Sequence, residues 1–261
     1  MDLKILHGKN EIFKYLEKCP GLQIYLIGDL DDFFWPKTIW FALKEFDEIK
    51  AIALLYIGMA PPTLLSFYEG EAFYYRILLE KIKPFLPNKL NMHTSPNLLD
   101  VFCRKNILKY YGLNYKMLLK KEAPDFNNQN IRKLSMQDLN AIKEFYIVSY
   151  PQNWFDSRML ETNKYFGYFI ENKLVGVSGI HVYSEQYRVA ALGNIATHPD
   201  FRGQKIAYQL TSALCSDLQK SVDYIGLNVN SENKYAIQCY RKIGFEIIGE
   251  YDECFLKNEP E

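Results

Sequence analysis

The chain has 261 residues, 48% hydrophobic and 24% charged, enough apolar sequence for one large or two small cores. Lys+Arg and Asp+Glu both number 31, so the neutral balance leaves no electrostatic footprint for a nucleic acid or an anionic membrane surface. No apolar run is long enough to span a bilayer, and Met1-Asp2-Leu3-Lys4-Ile5 does not open a signal peptide.

In chain order, Glu11 to Lys18 has helical spacing. Asp29 to Trp35 then sets three carboxylates beside three aromatics, either a patch that faces an ammonium group or a solvated turn and domain contact. Trp40 to Phe46, the turn Asp47-Glu48-Ile49-Lys50 and Ala51 to Ile57 predict a hairpin. Thr63 to Phe67 predicts a strand, Ala72 to Ile82 a helix, Leu90 to His93 a strand, Leu98 to Lys105 a helix and Leu113 to Leu119 a strand. The polar stretch Lys120 to Asn130, with Pro124 and several Asn, has the composition of a linker. The expected division is therefore 1–121, a linker at 122–130, and 131–261.

The second half opens with a short strand, Ile131 to Leu134, and a helix start capped by Ser135, followed by Leu139, Ile142, Phe145 and Tyr146 at helical spacing. Tyr165 to Ile170, the turn Glu171-Asn172-Lys173 and Leu174 to Val182 predict a second hairpin. Tyr187 to Thr197 is a strand, and Gln204 to Gln219 a helix with Ile206, Leu210, Leu214 and Leu218 on one face. Tyr224 to Val229 is a strand, Lys234 to Lys242 a helix ended by Gly244, and Phe245 to Leu256 a final strand. From its hairpin onward the first half repeats this order, which predicts a tandem duplication of one mixed α/β fold. Between Phe67 and its helix the first copy offers only Tyr68-Glu69-Gly70-Glu71, whose carboxylates would repel a pyrophosphate. The five cysteines, Cys19, Cys103, Cys215, Cys239 and Cys254, have no zinc-ligand spacing. They fit reduced thiols in a cytoplasmic protein without a metal.

The chemistry concentrates after residue 193. Arg202-Gly203-Gln204-Lys205-Ile206-Ala207 is a basic, glycine-bearing loop between a strand and a helix. Unpaired N–H groups and the positive end of the helix dipole suit a phosphate there. An ordinary basic turn reads equally well from the loop alone. A Walker loop is excluded, because no Gly-Lys-Ser/Thr starts the helix. Gly193 to Thr197 could pair with an extended ligand arm as a sheet edge does, or simply be a buried strand. Asn233 opens the next helix, as a cap or a ligand contact, and Tyr240 follows two turns later.

Together these stretches resemble the GCN5-related N-acetyltransferase (GNAT) superfamily. The motif Gln/Arg-x-x-Gly-x-Gly/Ala matches Arg202 to Ala207, except that Lys205 replaces the middle glycine. A second motif, Asn-x-x-Ala-x-x-x-Tyr-x-x-x-Gly-Phe, matches Asn233, Ala236, Tyr240, Gly244 and Phe245. The likeness covers roughly residues 130 to 256; the arrangement of two halves is similar to two-domain members such as the glycine N-acyltransferase-like branch. It implies two tandem GNAT-like folds, acetyl-CoA as donor, an amine as acceptor and a monomer or homodimer. By motif position, Ile195, Ala196 and Thr197 would pair with pantetheine. Gly203, Gln204, Lys205, Ile206, Ala207 and Tyr208 would hold the pyrophosphate beside Arg202. Asn233 would hydrogen-bond the cofactor arm, and Tyr240 would protonate the leaving sulfur as the catalytic residue.

Many relatives carry a Glu on the strand before the Asn-rich turn, where this chain has Asn228. His181, Glu185, or a water held by Asn228 or Asn194 are the remaining candidates for a base. The aromatic segment Tyr150 to Phe155 would line the acceptor side, as a clamp or as packing. Lys205 and Asn228 also fit a second reading, a non-catalytic acyl-CoA-binding or regulatory module.

Overall fold

The computed structural model describes residues 1–68, 71–126 and 128–258. Glu69 and Gly70 of the acidic turn, and Asn127 of the linker, lie outside the described residues. The chain forms two units: unit 1 is Met1–Lys116 together with the segment from Ile248 onward, and unit 2 is Met117–Ile247. The expected linker, 122–130, falls within unit 2.

In chain order the elements are β1 (Asp2–Leu6), α1 (Lys9–Leu16), α2 (Pro20–Gly28), β2 (Thr38–Glu45), β3 (Glu48–Tyr56), β4 (Thr63–Ser66), α3 (Ala72–Ile82), β5 (Lys89–Thr94) and β6 (Ile107–Leu119). They continue with β7 (Ile131–Lys133), α4 (Leu139–Ser149), β8 (Phe166–Ile170), β9 (Lys173–Ser184), β10 (Val189–Thr197), α5 (Ile206–Leu218), β11 (Tyr224–Asn230), α6 (Lys234–Ile243) and β12 (Phe245–Lys257).

In unit 1 the strand order is β1-β2-β3-β4-β5-β12-β6. The last strand of the chain thus completes the first unit: Asp252 to Lys257 pair antiparallel with Thr94 to Lys89, and Cys254 and Leu256 join its core. Helix α3 buries Tyr75, Leu78, Leu79 and Ile82, the i, i+3, i+4, i+7 stripe that the sequence predicts. The parallel pair β4 and β5 stays closed to its end. Ser66↔Thr94 is the last register pair, Ser95 N–H donates to Ser66 O at 3.0 Å, and Thr94 Oγ1 donates to the same oxygen at 3.2 Å. Tyr68 N–H then donates to Ser95 Oγ at 3.0 Å.

Three expectations for this half change. Leu98 to Lys105 is two short 3-10 turns, Leu99–Val101 and Arg104–Asn106. Phe102 and Cys103 between them are extended, with ψ of 137° and 136°, while Leu98, Val101 and Phe102 all face the core. Helix α2 escapes a periodicity argument because Gly21 to Ile27 is apolar nearly throughout; Pro20 at its first turn is the local signal. Of the carboxylates in the 29–35 segment, Asp29 is the buried C-cap of α2. Asp31 Oδ1 accepts from Phe33 N–H, and Asp32 pairs with Lys9, whose ammonium also lies over Trp35. The ammonium group this segment meets is the chain's own.

In unit 2 the order is β11-β10-β9-β8-β7, with the end of β6 beside β11. Hairpin β8–β9 turns through Glu171 and Asn172, φ 49° and 63°, the two positive values that match strand twist in a two-residue turn. Ser135 caps the chain into α4 through a capping box with Asp138, which Arg132 grips with both terminal guanidinium nitrogens. Ile206 and Leu210 of α5 pack where Gly176 of β9 lacks a side chain. Gly244 ends α6 at φ 119°, a value that favours glycine.

Lys116 is the costly residue of unit 1. It is 3% exposed, has no acidic partner among the described residues, and lies 3.6 Å from the Phe67 ring centroid, with Tyr25 and Tyr251 at 5.4 and 5.5 Å. Burial lowers its pKa to about 7. The unfolded chain therefore binds the extra proton between that value and the ordinary lysine range, so stability rises with pH across this window and the cost is complete below it. Lys116→Met is expected to raise stability at pH 7 by about 1–4 kcal/mol and to flatten this slope. Urea unfolding at pH 7 and pH 10 measures both; a Met variant less stable at pH 7 would contradict the account.

Candidate active site

The site begins where two strands part. Parallel β10 and β11 pair from Val189↔Tyr224 to Leu192↔Leu227 and no further. Beyond that point β10 stays paired to β9, through Gly193↔Gly179, Ala196↔Val177 and Thr197↔Gly176, with a bulge between Gly193 and Ala196. A bulge bends and twists the strand that carries it. It leaves Gly193 to Thr197 on one side and Asn228 to Asn230 on the other as the walls of a wedge. Asn194 and Ile195 lie in the bulge, with Asn194 at φ 55°.

At the open end of the wedge lies the loop into α5. His198 Nδ1 accepts from Asp200 N–H, a 3-10 turn follows at Pro199–Phe201, and Arg202 Nε donates to Thr197 O at 3.4 Å. Gly203 takes φ 80°, and a Cβ there would meet nothing within 4 Å, so the loop backbone faces open space. Lys205 takes φ 61°. The lysine adopts the left-handed conformation that favours glycine, the residue the motif has at this position. Helix α5 then starts at Ile206, two residues later than the periodicity predicts. The bond from Gln209 N–H returns to Lys205 O at 3.1 Å, which leaves the amides of Ile206, Ala207 and Tyr208 without an intrahelical acceptor. The Tyr208 ring packs edge-on against Phe126, centroids 5.4 Å apart.

Helix α6 follows β11. Asn233 is its N-cap, Oδ1 accepting from Ala236 N–H at 3.1 Å; capping occupies the oxygen and leaves the side-chain NH2 as the donor. Tyr240 is partly buried, with its ring edge-on to Phe245 at 6.0 Å. Its hydroxyl has no hydrogen-bond partner among the described residues. Burial first, then the neighbouring Cys239, Tyr150 and Cys215, holds its pKa well above that of a free phenol. The phenol therefore keeps its proton at neutral pH.

The candidates for a base separate clearly. Asn194 has both side-chain polar atoms engaged, Oδ1 by Trp154 N–H at 3.0 Å and Nδ2 by Tyr165 Oη at 2.9 Å. Glu185 lies past the far end of β9, where Ser184 pairs with the first residue of β10, away from the wedge. His181 sits over Gly193, the first residue beyond the last β10–β11 pair; a Cβ there would come 2.0 Å from the ring. Asn228 is half-buried and immediately follows the last paired residue of β11. In the aromatic segment, Phe155 lies between Tyr146 and Tyr165 at 5.6 and 5.5 Å and is packing. Tyr150 and Trp154 keep exposed surface. No local sequence signal marks the Tyr146–Asn194–Tyr165 group, whose members are far apart in the chain.

Among the described residues no group of His, Cys, Asp and Glu could hold a metal ion, and no helix is long and apolar enough to cross a membrane. At Lys205 the left-handed backbone costs about 1 kcal/mol for a residue with a Cβ. Lys205→Gly is expected to keep the loop and gain up to about that amount in urea unfolding. A clear loss of stability would mean that the lysine side chain holds the loop.

Residues 129–245 match the family model described as "Acetyltransferase (GNAT) family". No curated protein matches the chain. Solved structures resemble it over nearly its whole length. A Drosophila protein aligns with TM-score 0.74 at 11% identity, covering 98% of this chain and 99% of its own. A tandem GNAT protein from the clavulanic acid biosynthesis pathway aligns with TM-score 0.62 at 11% identity, covering 100% and 99%. A GNAT-family acetyltransferase from Colwellia psychrerythraea aligns with TM-score 0.60 at 14% identity, covering 98% and 100%. At these identities the likeness is one of fold.

Proposed function

We propose, from the premise that residues 129–245 are a domain of the acetyltransferase (GNAT) family, that this chain is an N-acetyltransferase moving an acetyl group from acetyl-CoA to an amine. The observation that carries the reading is the wedge between β10 and β11, which opens beside a helix start with free amides. The residues fit the donor. An extended pantetheine arm matches the unpaired edge of Ile195, Ala196 and Thr197. A pyrophosphate matches the open backbone at Gly203 and Gln204 and the amides of Ile206, Ala207 and Tyr208, with Arg202 and Lys205 adding positive charge. Asn233 has an NH2 to give to the arm.

Acetyl-CoA supplies the thioester carbonyl as the electrophile. A backbone N–H near Ala196 is the donor for the oxyanion that forms as the amine attacks. Tyr240 Oη holds the proton that the departing sulfur needs, and its raised pKa keeps that proton in place until then. His181, or a water on Asn228, is left to take the proton from the amine. The alternative, a binding module without catalysis, rested on Lys205 and Asn228. Lys205 takes the left-handed backbone that favours glycine, and the protonated, unpartnered Tyr240 favours catalysis.

Among the described residues of unit 1, β4 and β5 show no comparable parting, because they remain hydrogen-bonded through Ser66, Thr94 and Ser95. Calorimetry is therefore expected to give one acetyl-CoA per chain, with dephospho-CoA bound and ATP bound far less. No heat with acetyl-CoA would end this reading, and two sites would end the assignment to unit 2 alone. Tyr240→Phe is expected to lower acetyl transfer by about a hundredfold or more with acetyl-CoA affinity nearly intact. Parallel loss of binding would make the tyrosine structural instead.

A further inference from the structure

Asn194 does more than occupy a bulge. It is 3% exposed, and it joins four parts of unit 2. Tyr146 Oη, on α4, donates to its backbone oxygen at 2.6 Å. Its Oδ1 accepts from Trp154 N–H at 3.0 Å, and its Nδ2 donates to Tyr165 Oη at 2.9 Å. Tyr165 Oη in turn donates to Ile180 O on β9 at 2.8 Å. These partners fix the amide orientation: the oxygen must face the Trp154 N–H, and the nitrogen must face a hydroxyl whose proton is already given to Ile180. Asparagine meets every demand of this position. It offers one acceptor and one donor on a short side chain, and it tolerates the left-handed backbone.

The same residue shapes the strand that forms one wall of the wedge and holds the backbone of Trp154. Trp154 keeps 36% of its surface exposed, and Tyr150, the C-cap of α4, keeps 37%. One buried group therefore connects the bulged strand, helix α4 and the aromatic segment.

We infer that Asn194 is a positioning residue that couples the acyl-CoA strand to the acceptor segment, so that filling the wedge sets the place of Trp154. The inference rests on the acyl-CoA reading above. Asn194→Gly keeps the backbone conformation and deletes both side-chain bonds. Asn194→Asp keeps the acceptor for the Trp154 N–H.

The test is acetyl-CoA titration of the full chain, followed by calorimetry and by tryptophan emission, with Trp154→Phe identifying the Trp154 component against Trp35 and Trp40. The wild type is expected to bind and to change its Trp154 emission. Asn194→Gly is expected to bind within about tenfold of wild type, to lose the emission change, and to expose Trp154 to acrylamide before any ligand is added. Asn194→Asp is expected to recover the response only in part, because it restores the acceptor for the Trp154 N–H and not the donor to Tyr165 Oη. Should the glycine variant fail to fold, Tyr165→Phe frees the amide without altering residue 194 and is expected to weaken the response. Heat of binding without any Trp154 change in the wild type, or a full response in Asn194→Gly, would overturn the coupling. Absence of heat in the wild type would instead overturn the acyl-CoA reading beneath it.

Discussion

A parallel strand pair that stops pairing partway is the constraint on which unit 2 depends. A buried sheet cannot leave backbone donors and acceptors unpaired without cost. β10 and β11 nevertheless part after Leu192 and Leu227. The parting is sustained from behind, where β10 stays bonded to β9, and by the Asn194 group, which binds the bulge with side chains instead of a neighbouring strand. The unpaired edge is then available for a ligand whose amides can finish the sheet. Everything else at the site is arranged around that edge: the open loop at Gly203, the capped start of α6 at Asn233, and the phenol of Tyr240.

Unit 1 also carries a parallel strand pair, β4 and β5, with the opposite outcome. Its parallel pair continues to the end because Ser66, Thr94 and Ser95 supply bonds where unit 2 has a bulge. The space that a ligand arm would need is thus taken by protein–protein hydrogen bonds, and a glycine loop would gain nothing there. The buried Lys116, set against Phe67, Tyr25 and Tyr251, belongs to this closed interior. Cation–π contact recovers part of its desolvation cost, and the rest is carried by the core of Phe41, Leu54, Leu64, Leu78 and Leu79, all at most 3% exposed.

The elements of unit 2 were legible because their signals are local. Ser135 with Asp138, the Glu171-Asn172 turn, the α5 stripe from Ile206 to Leu218 and the Gly244 stop each lie within a few residues of what they determine. Three things were not. β12 completes unit 1 from the far end of the chain, and strand pairing over such a separation leaves no mark in a window of residues. Helix α2 is apolar on all sides, so period carries no information about it. The end of the β10–β11 ladder depends on Asn194 meeting Tyr146, Trp154 and Tyr165, which sequence spacing cannot bring together. The motif positions could be named in advance, but the conformation of Lys205 could not: only the backbone tells whether a lysine in a glycine position has redirected the loop or accepted its strain.

That acceptance bears on what the site can do. A lysine held at φ 61° keeps the helix start facing outward and adds a cation beside Arg202. The donor end of the wedge is therefore basic as well as open. The opposite end is different. Asn228 stands where many relatives carry an acid, Glu185 lies past the far end of β9, and Tyr150, Cys239 and Cys215 are the titratable neighbours that help raise the Tyr240 pKa. On the proposed chemistry, an ammonium would find no carboxylate there to hold it in its charged form. The nearby aromatic surface of Tyr150 and Trp154 instead rewards an apolar body. Under the proposed reading, such a site would favour an acceptor that gives up its proton to water or to His181 and enters as the free amine. The raised pKa of Tyr240 suits that sequence, because a phenol that stays protonated in an uncharged setting is spent only on the leaving sulfur.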